Sequence, residues 1–280
     1  MKTLLLSAAF ALAACTAVAQ TASIKAAYDQ TSFKRNSATE TGTRKMILLA
    51  GTAGSKYYNE ISEYCDSMTS TPAGKKQLAE IQMAAWVSYG ADGSMSIDMT
   101  KGNAPHKTVH TYITKDFSAG TMRVYDRWGE DDGFYDEPLA GLDWTIADDS
   151  VRTILGYECL MATVDYHGRR WTAWFTPEIP LPDGPWKLHG LPGLILMAES
   201  DPEFRFEATG IEHTGQTINP VYNQDTYSRI DRKKALADEE YFFKNRESII
   251  RAKYGSDIIY KGQREEPPFD RTKHALETDY

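Results

Sequence analysis

Short bursts in which apolar and polar residues alternate recur along most of the chain, the period-two pattern of half-buried strands. The pattern predicts strands over Ile24 to Phe33, Arg44 to Leu49, Lys56 to Tyr64, Thr108 to Thr114, Thr121 to Arg127 and Trp144 to Ala147. The strongest pair is Glu158 to Tyr166 with Arg170 to Thr176, joined at His167-Gly168-Arg169, where a glycine between two β-rich runs signals a hairpin. Leu194 to Ala198 and Glu203 to Ile211 make a second antiparallel pair, turning at Asp201-Pro202. Two segments carry helical spacing instead. Pro72 to Ala85 opens on Thr71-Pro72, an N-cap before a proline at the first helical position, and Leu78, Ile81 and Ala85 share one face. In Asp231 to Tyr254, Leu236, Phe243 and Ile250 recur every seven residues, and Gly255 is a natural stop. Many strands followed by a late helix predict an α+β fold: a curved, mostly antiparallel, half-barrel-like sheet with one or two packing helices.

Composition narrows the class. The 280 residues are 41% hydrophobic and 11% aromatic, an ordinary globular profile. A net charge of −8 argues against nucleic acid as the main partner, since phosphate neutralisation needs a basic face. The first residues read as an export signal. Lys2 supplies a positive n-region, Leu4 to Ala14 is apolar apart from Ser7, and Ala17-Val18-Ala19 gives the small-residue cleavage pattern, with Gln20 as first mature residue. A second reading is a lipobox, Leu12-Ala13-Ala14-Cys15, with Cys15 as a lipid tether. Either route predicts an exported protein of the periplasm or envelope. No later stretch has the apolar length of a transmembrane helix. The expected organisation is a signal peptide over 1–19, one β-rich domain over 20–260 and a loose, charged tail over 261–280. Cys65 and Cys159 are the two cysteines of the mature chain; they form either a disulfide or two buried thiols.

The run Gly190-Leu191-Pro192-Gly193-Leu194-Ile195 reads GLPGLI and resembles the signature of the GLPGLI family of exported envelope proteins. Ile154-Leu155-Gly156-Tyr157-Glu158-Cys159 looks like that family's glycine–tyrosine–x–cysteine strand entry, and Gly168 to Pro180 looks like its tryptophan-rich strand. Gly184-Pro185-Trp186 leads into the signature, and Lys56-Tyr57-Tyr58 resembles the family more weakly. Clear motifs cover about a sixth of the chain, from Ile154 to Met197. The resemblance implies export and a β-rich fold, and no particular reaction. By analogy of architecture it also suggests the half-barrel of lipoprotein carriers, which hold acyl chains between sheet and helix.

The signature has its own physics. Leu191-Pro192-Gly193-Leu194 places proline and glycine as a type II turn requires, and Gly190 suits a positive φ. Pro177, Pro180, Pro182, Pro185 and Pro192 stiffen the connection. It is either a rigid corner that closes the sheet or a binding loop.

Candidate chemistry is thin. His106 and His110 lie four apart, but on a strand that is roughly 13 Å, too far for one ion. The acidic stretch from Asp126 to Asp149 has Trp128 and Leu139 where a calcium loop needs carboxylates, and reads as a solvated loop. No G-x-S-x-G is present. No metal, cofactor or catalytic residue is therefore expected. Trp171 and Trp174, three apart on a strand, face opposite ways, so one can face a groove with Tyr166, Trp186 and His189. The leading expectation is an envelope binding or accessory protein with an unidentified ligand or protein partner. The alternatives are a hydrolase-like periplasmic enzyme with a site near the Trp186–Leu194 loop, and a protein-docking module.

Overall fold

The computed structural model describes residues 20–33, 41–98, 102–200, 202–254 and 269–280. The export segment with Cys15, Asp201 and Gly255 lie outside the described residues. The strands are β1 (Ile24–Phe33), β2 (Thr41–Ala50), β3 (Gly54–Tyr58), β4 (Val87–Tyr89), β5 (Met95–Ile97), β6 (Tyr112–Asp116) and β7 (Thr121–Trp128). They continue as β8 (Asp131–Pro138), β9 (Thr145–Ile154), β10 (Tyr157–Tyr166), β11 (Arg169–Thr176), β12 (Leu194–Ser200), β13 (Phe204–His213) and β14 (Ser228–Arg229). The helices are α1 (Glu60–Thr69), α2 (Pro72–Trp86), α3 (Arg232–Tyr254) and α4 (Arg271–His274).

Twelve strands make one sheet in the order β14-β8-β7-β6-β3-β2-β1-β13-β12-β11-β10-β9, and β4 and β5 pair apart as a small hairpin. All pairings in the large sheet are antiparallel except the short β14–β8 pair. The fold is thus the expected α+β class, and the sheet is not closed. It is strongly curled, because Glu137 on β8 lies 3.6 Å from His167 in the β10–β11 turn although those strands stand near opposite ends of the order. The alternation that predicts the strands sorts their two faces. Tyr28, Met46, Leu48, Tyr57, Met122, Val124 and Trp171 point into the inner core, whereas Ile47, Leu49, Tyr58, Tyr112 and Tyr125 belong to a smaller outer core. The β10–β11 turn has His167 at φ 52° and Gly168 at φ 75°, the two left-handed residues of a type I′ hairpin.

Four expectations are corrected, and the alternative left open for the cysteines is decided. The strand expected over Lys56 to Tyr64 stops at Tyr58, because the Asn59 side chain accepts from the Ser62 amide at 2.9 Å and starts α1. The acidic stretch is not simply a solvated loop: Asp131–Pro138 is β8, with Asp132 and Asp136 bridged to Arg127 and Arg123 of the neighbouring strand. Cys65 and Cys159 are both free and buried, the first on α1 and the second on β10, so the disulfide reading falls. Burial pushes both thiols up, Cys159 to about 11. The tail expected to be loose is, over 269–280, a docked strap with Arg271 and Glu277 buried. Apolar content understates that docking, which charges and carbonyls hold: Arg169 donates to Ala275 O and Thr272 O at 2.6 Å each. Phe243, expected on the buried stripe of α3, is 45% exposed and stacks on Phe269 of the strap at 5.1 Å.

Candidate functional site

The signature connection, residues 177–193, runs from β11 to β12 and fills the space inside the curl. Ile179, Leu181, Trp186, Leu188 and Leu191 are buried in the inner core. Its turns are tighter than expected. Leu181 N donates to Ile179 O, Asp183 N to Leu181 O and Gly193 N to Leu191 O, all at 2.8 Å. Each is a three-residue γ-turn centred on a proline, whose fixed φ suits that geometry. The expected type II turn at Leu191–Leu194 is replaced by the last of these; Leu194 N donates to Ile179 O at 3.0 Å instead. Gly190 has the expected positive φ, 90°. Gly193 is required by close approach, since a Cβ there would lie 2.1 Å from the Thr176 carbonyl oxygen.

Buried charges stitch this loop to the far strands. Lys115 on β6 donates to Asp183 Oδ1 at 2.5 Å and to the carbonyls of Gly184 and Leu188 at 3.0 Å each. Both side chains of that pair are fully buried. Lys187 reaches Glu137 at 2.7 Å and Glu277 of the strap at 2.6 Å.

The five residues expected to line a ligand groove are packed into the protein. Trp171 and Trp174 are both buried and belong to the same core cluster. Trp171 lies 5.5 Å from Trp186 and 5.6 Å from Phe206, and Tyr166 closes on Trp186 at 5.9 Å. Trp174 lies under the Arg152 guanidinium, 4.4 Å from its ring centre. His189 has its Nδ1 2.8 Å from Lys187 O and its Nε2 3.1 Å from Ala140 O. A neutral ring donates to only one of them; burial and then Lys115 push its pKa down. His189 is held as a structural crosslink, which removes the main candidate of the hydrolase reading. His106 and His110 also serve separate contacts, a carbonyl at Ala104 and a 3.8 Å approach to Asp132.

Among the described residues, one group of side chains has metal-ligand character. Donor atoms of Glu137, His167 and Glu277 lie within 4.8 Å of one another. The positive charge a metal would bring is already there. Lys187 bridges both carboxylates, and Arg232 reaches Glu137 at 3.1 Å, Glu277 at 2.5 Å and Asp279 at 2.6 Å. Three acids against two permanent cations and one histidine form a compensated cluster that pins the strap to β8 and the β10–β11 turn.

The open site is on the outer face. Strands β1–β3 supply its floor, with Lys25, Leu49, Lys56 and Tyr58; α1 supplies one wall, with Glu60, Glu63, Tyr64 and Ser67; and Gln216, Thr217, Asn219 and Tyr222 supply the other. The cavity measures about 590 Å³. Asp66 anchors the α1 wall, accepting from Tyr112 Oη at 2.6 Å and Lys107 Nζ at 2.7 Å. Lys56 is 1% exposed, pairs with Glu63 at 2.7 Å and reaches the carbonyls of Asn219 and Pro220. Burial lowers its pKa against the pull of Glu63. Tyr58, Tyr112 and Tyr222 surround that ammonium at 5.2, 5.5 and 5.8 Å. Nothing in the sequence pattern marks this groove, although Lys56 and Tyr58 of the Lys56-Tyr57-Tyr58 run lie on its floor.

The geometry defines a class: a curled, open α+β sheet with a self-filled interior and a polar groove on its back. Comparisons with known proteins agree with the fold and go no further. Residues 165–197, from the end of β10 into β12, match a family model described as a protein of unknown function (Porph_ging). No curated protein matches the chain. Among solved structures the chain is similar to PNGF-II, with a TM-score of 0.50 at 11% identity, covering 78% of this chain and 32% of that one. A second crystal form of PNGF-II gives 0.46 at 11% identity, covering 77% and 33%. This chain spans about a third of the length of PNGF-II.

Proposed function

We propose that the protein is an exported, envelope-associated binding or accessory protein of the GLPGLI kind, with the outer groove as its binding site and no reaction of its own. One observation carries this reading: the interior behind the signature is filled by the protein's own loop, while the groove between α1 and 216–222 stays open. Export rests on Lys2, the apolar run and Ala17-Val18-Ala19. The packed interior speaks against an acyl chain held inside the curl. The compensated charges around His167 speak against a hydrolase there, since each carboxylate already has a cation.

The test is native mass spectrometry of the mature protein purified from its own envelope, with hydrogen exchange over 56–67 and 216–225. A molecule released on denaturation, whose removal speeds exchange in those segments, is the expected result. A bare polypeptide, with no envelope extract slowing exchange there, overturns it. A docking role has a separate observation in its favour. Tyr89, Met95 and Ile97 of the β4–β5 hairpin are 72, 59 and 61% exposed, an apolar face that crosslinking in the envelope would mark.

A further inference from the structure

We propose that the outer groove takes a neutral, polyhydroxylated ligand: an uncharged saccharide of more than one ring, stacked on Tyr64 and Tyr222 and hydrogen-bonded by Gln216 and Asn219. This rests on the reading of the groove as the binding site. The first ground is charge. The two cations of the lining are matched by its two carboxylates, Lys25 with Glu60 at 3.6 Å and Lys56 with Glu63 at 2.7 Å. The Lys56 ammonium also spends its donors on two carbonyls. Lys25 has Glu212 as a second partner at 3.6 Å, and an ionic ligand at Lys56 or Glu63 would have to break their buried pair, whereas a neutral one leaves it intact.

The second ground is the chemistry of the walls. In the main groove Leu49 is the sole aliphatic side chain of the lining, so an acyl chain has little to bury against there. Hydroxyls and amides from Tyr58, Tyr64, Tyr222, Ser67, Gln216 and Asn219 offer paired donors and acceptors. The electron-rich tyrosine faces suit the slightly positive C–H face of a sugar ring. An extended peptide is disfavoured because the floor is made of β1, β2 and β3, each paired on both sides, which leaves no strand edge to extend.

The third ground is length. A second hollow of about 390 Å³ shares Asn219 and Tyr222 with the first and continues past Ser70 and Asn223. Tyr222 lines both hollows, so a ligand of more than one ring stacked on it would extend from the first towards the second.

The experiment is isothermal titration of the folded mature protein with maltotetraose and with the β-1,4-linked N-acetylglucosamine tetramer, against capped tetra-alanine. Tyr64→Ala and Tyr222→Ala are the variants, with circular dichroism as the control for folding; Tyr64 is 42% exposed and outside both cores. At least one tetrasaccharide is expected to bind, and the double variant to weaken it about tenfold or more. Saccharide binding that the double variant leaves unchanged overturns the proposal, and so does the absence of binding by both tetrasaccharides. If tetra-alanine or a co-purified lipid then slows exchange over 216–225, the saccharide fails and the groove stands as a binding site. If nothing does, both readings fail.

Discussion

Removing the charge of Glu277 tests whether the strap is held by electrostatics. Burial by itself would push this carboxyl up, yet Lys187, His167 and Arg232 hold it at about 2, against an ordinary 4.5. Because the folded value is the lower one, the native state binds fewer protons than the unfolded state between the two values. The stabilisation is therefore complete above about pH 4.5 and is lost as pH falls towards 2. At about 1.4 kcal/mol per unit, the depression is worth about 3 kcal/mol. Against the opposing effect of burial, Glu137 is held down by His167 and Lys187 and Asp279 by Arg232 and His167, and both act in the same direction. Urea unfolding, followed by tryptophan fluorescence from about pH 7 to pH 2.5, reads the effect. Glu277→Gln keeps the shape and removes the titration. It should cost about 3 kcal/mol near neutrality and about 1 kcal/mol at pH 2.5, so that the two curves converge. Curves that stay parallel over the whole range would refute the assignment of the stability to this carboxylate.

Two further perturbations probe the signature loop. Lys115→Met leaves Asp183 buried without its cation and should cost about 3–5 kcal/mol, whereas Lys115→Met with Asp183→Leu should cost clearly less; urea midpoints showing the single variant no worse than the double would show that the pair is not coupled. Gly193→Ala sets a Cβ 2.1 Å from the Thr176 carbonyl oxygen, a backbone atom fixed in β11, and should lower stability by more than about 2 kcal/mol. Gly210→Ala, whose Cβ meets open space, is its control in thermal melts and should change little.

The fold was legible wherever one residue type decides a local choice. Thr71-Pro72 marked the start of α2, and the alternation of Trp171, Ala173 and Phe175 with Thr172 and Trp174 marked β11. Errors came where distant partners decide. In β8, Gly133, Tyr135 and Glu137 face inward and alternate with Asp132, Phe134 and Asp136. Arginines on β7 and β14 supply the charge that makes this acidic run a strand. Asn59 with acids at Glu60 and Glu63 was a readable helix start, hidden by the β-rich Tyr57-Tyr58 before it. The groove was not legible at all, since its walls come from α1 and from a segment roughly 150 residues later.

The buried lysines explain why a chain segment like the signature can sit inside a protein. Backbone without regular structure normally stays at the surface, because buried carbonyls and amides without partners are costly. Proline removes part of that demand, since it has no amide to satisfy, and the proline-centred γ-turns use the amides of Leu181, Asp183 and Gly193 locally. That leaves carbonyls facing inward, and what they need is donors. Lys115, an ammonium with three donors and no acceptor, meets Asp183 Oδ1, Gly184 O and Leu188 O; Trp144 Nε1 takes His189 O at 2.8 Å, and Tyr28 Oη takes Ile195 O at 2.7 Å. These donors sit on β1, on β6 and just before β9, strands that stand far apart in the sheet order and meet only because the sheet curls around the loop. The loop and the curl therefore depend on each other, and the motif is accounted for by that dependence without a ligand. The open groove lies on the outer face, a surface that the motif does not line.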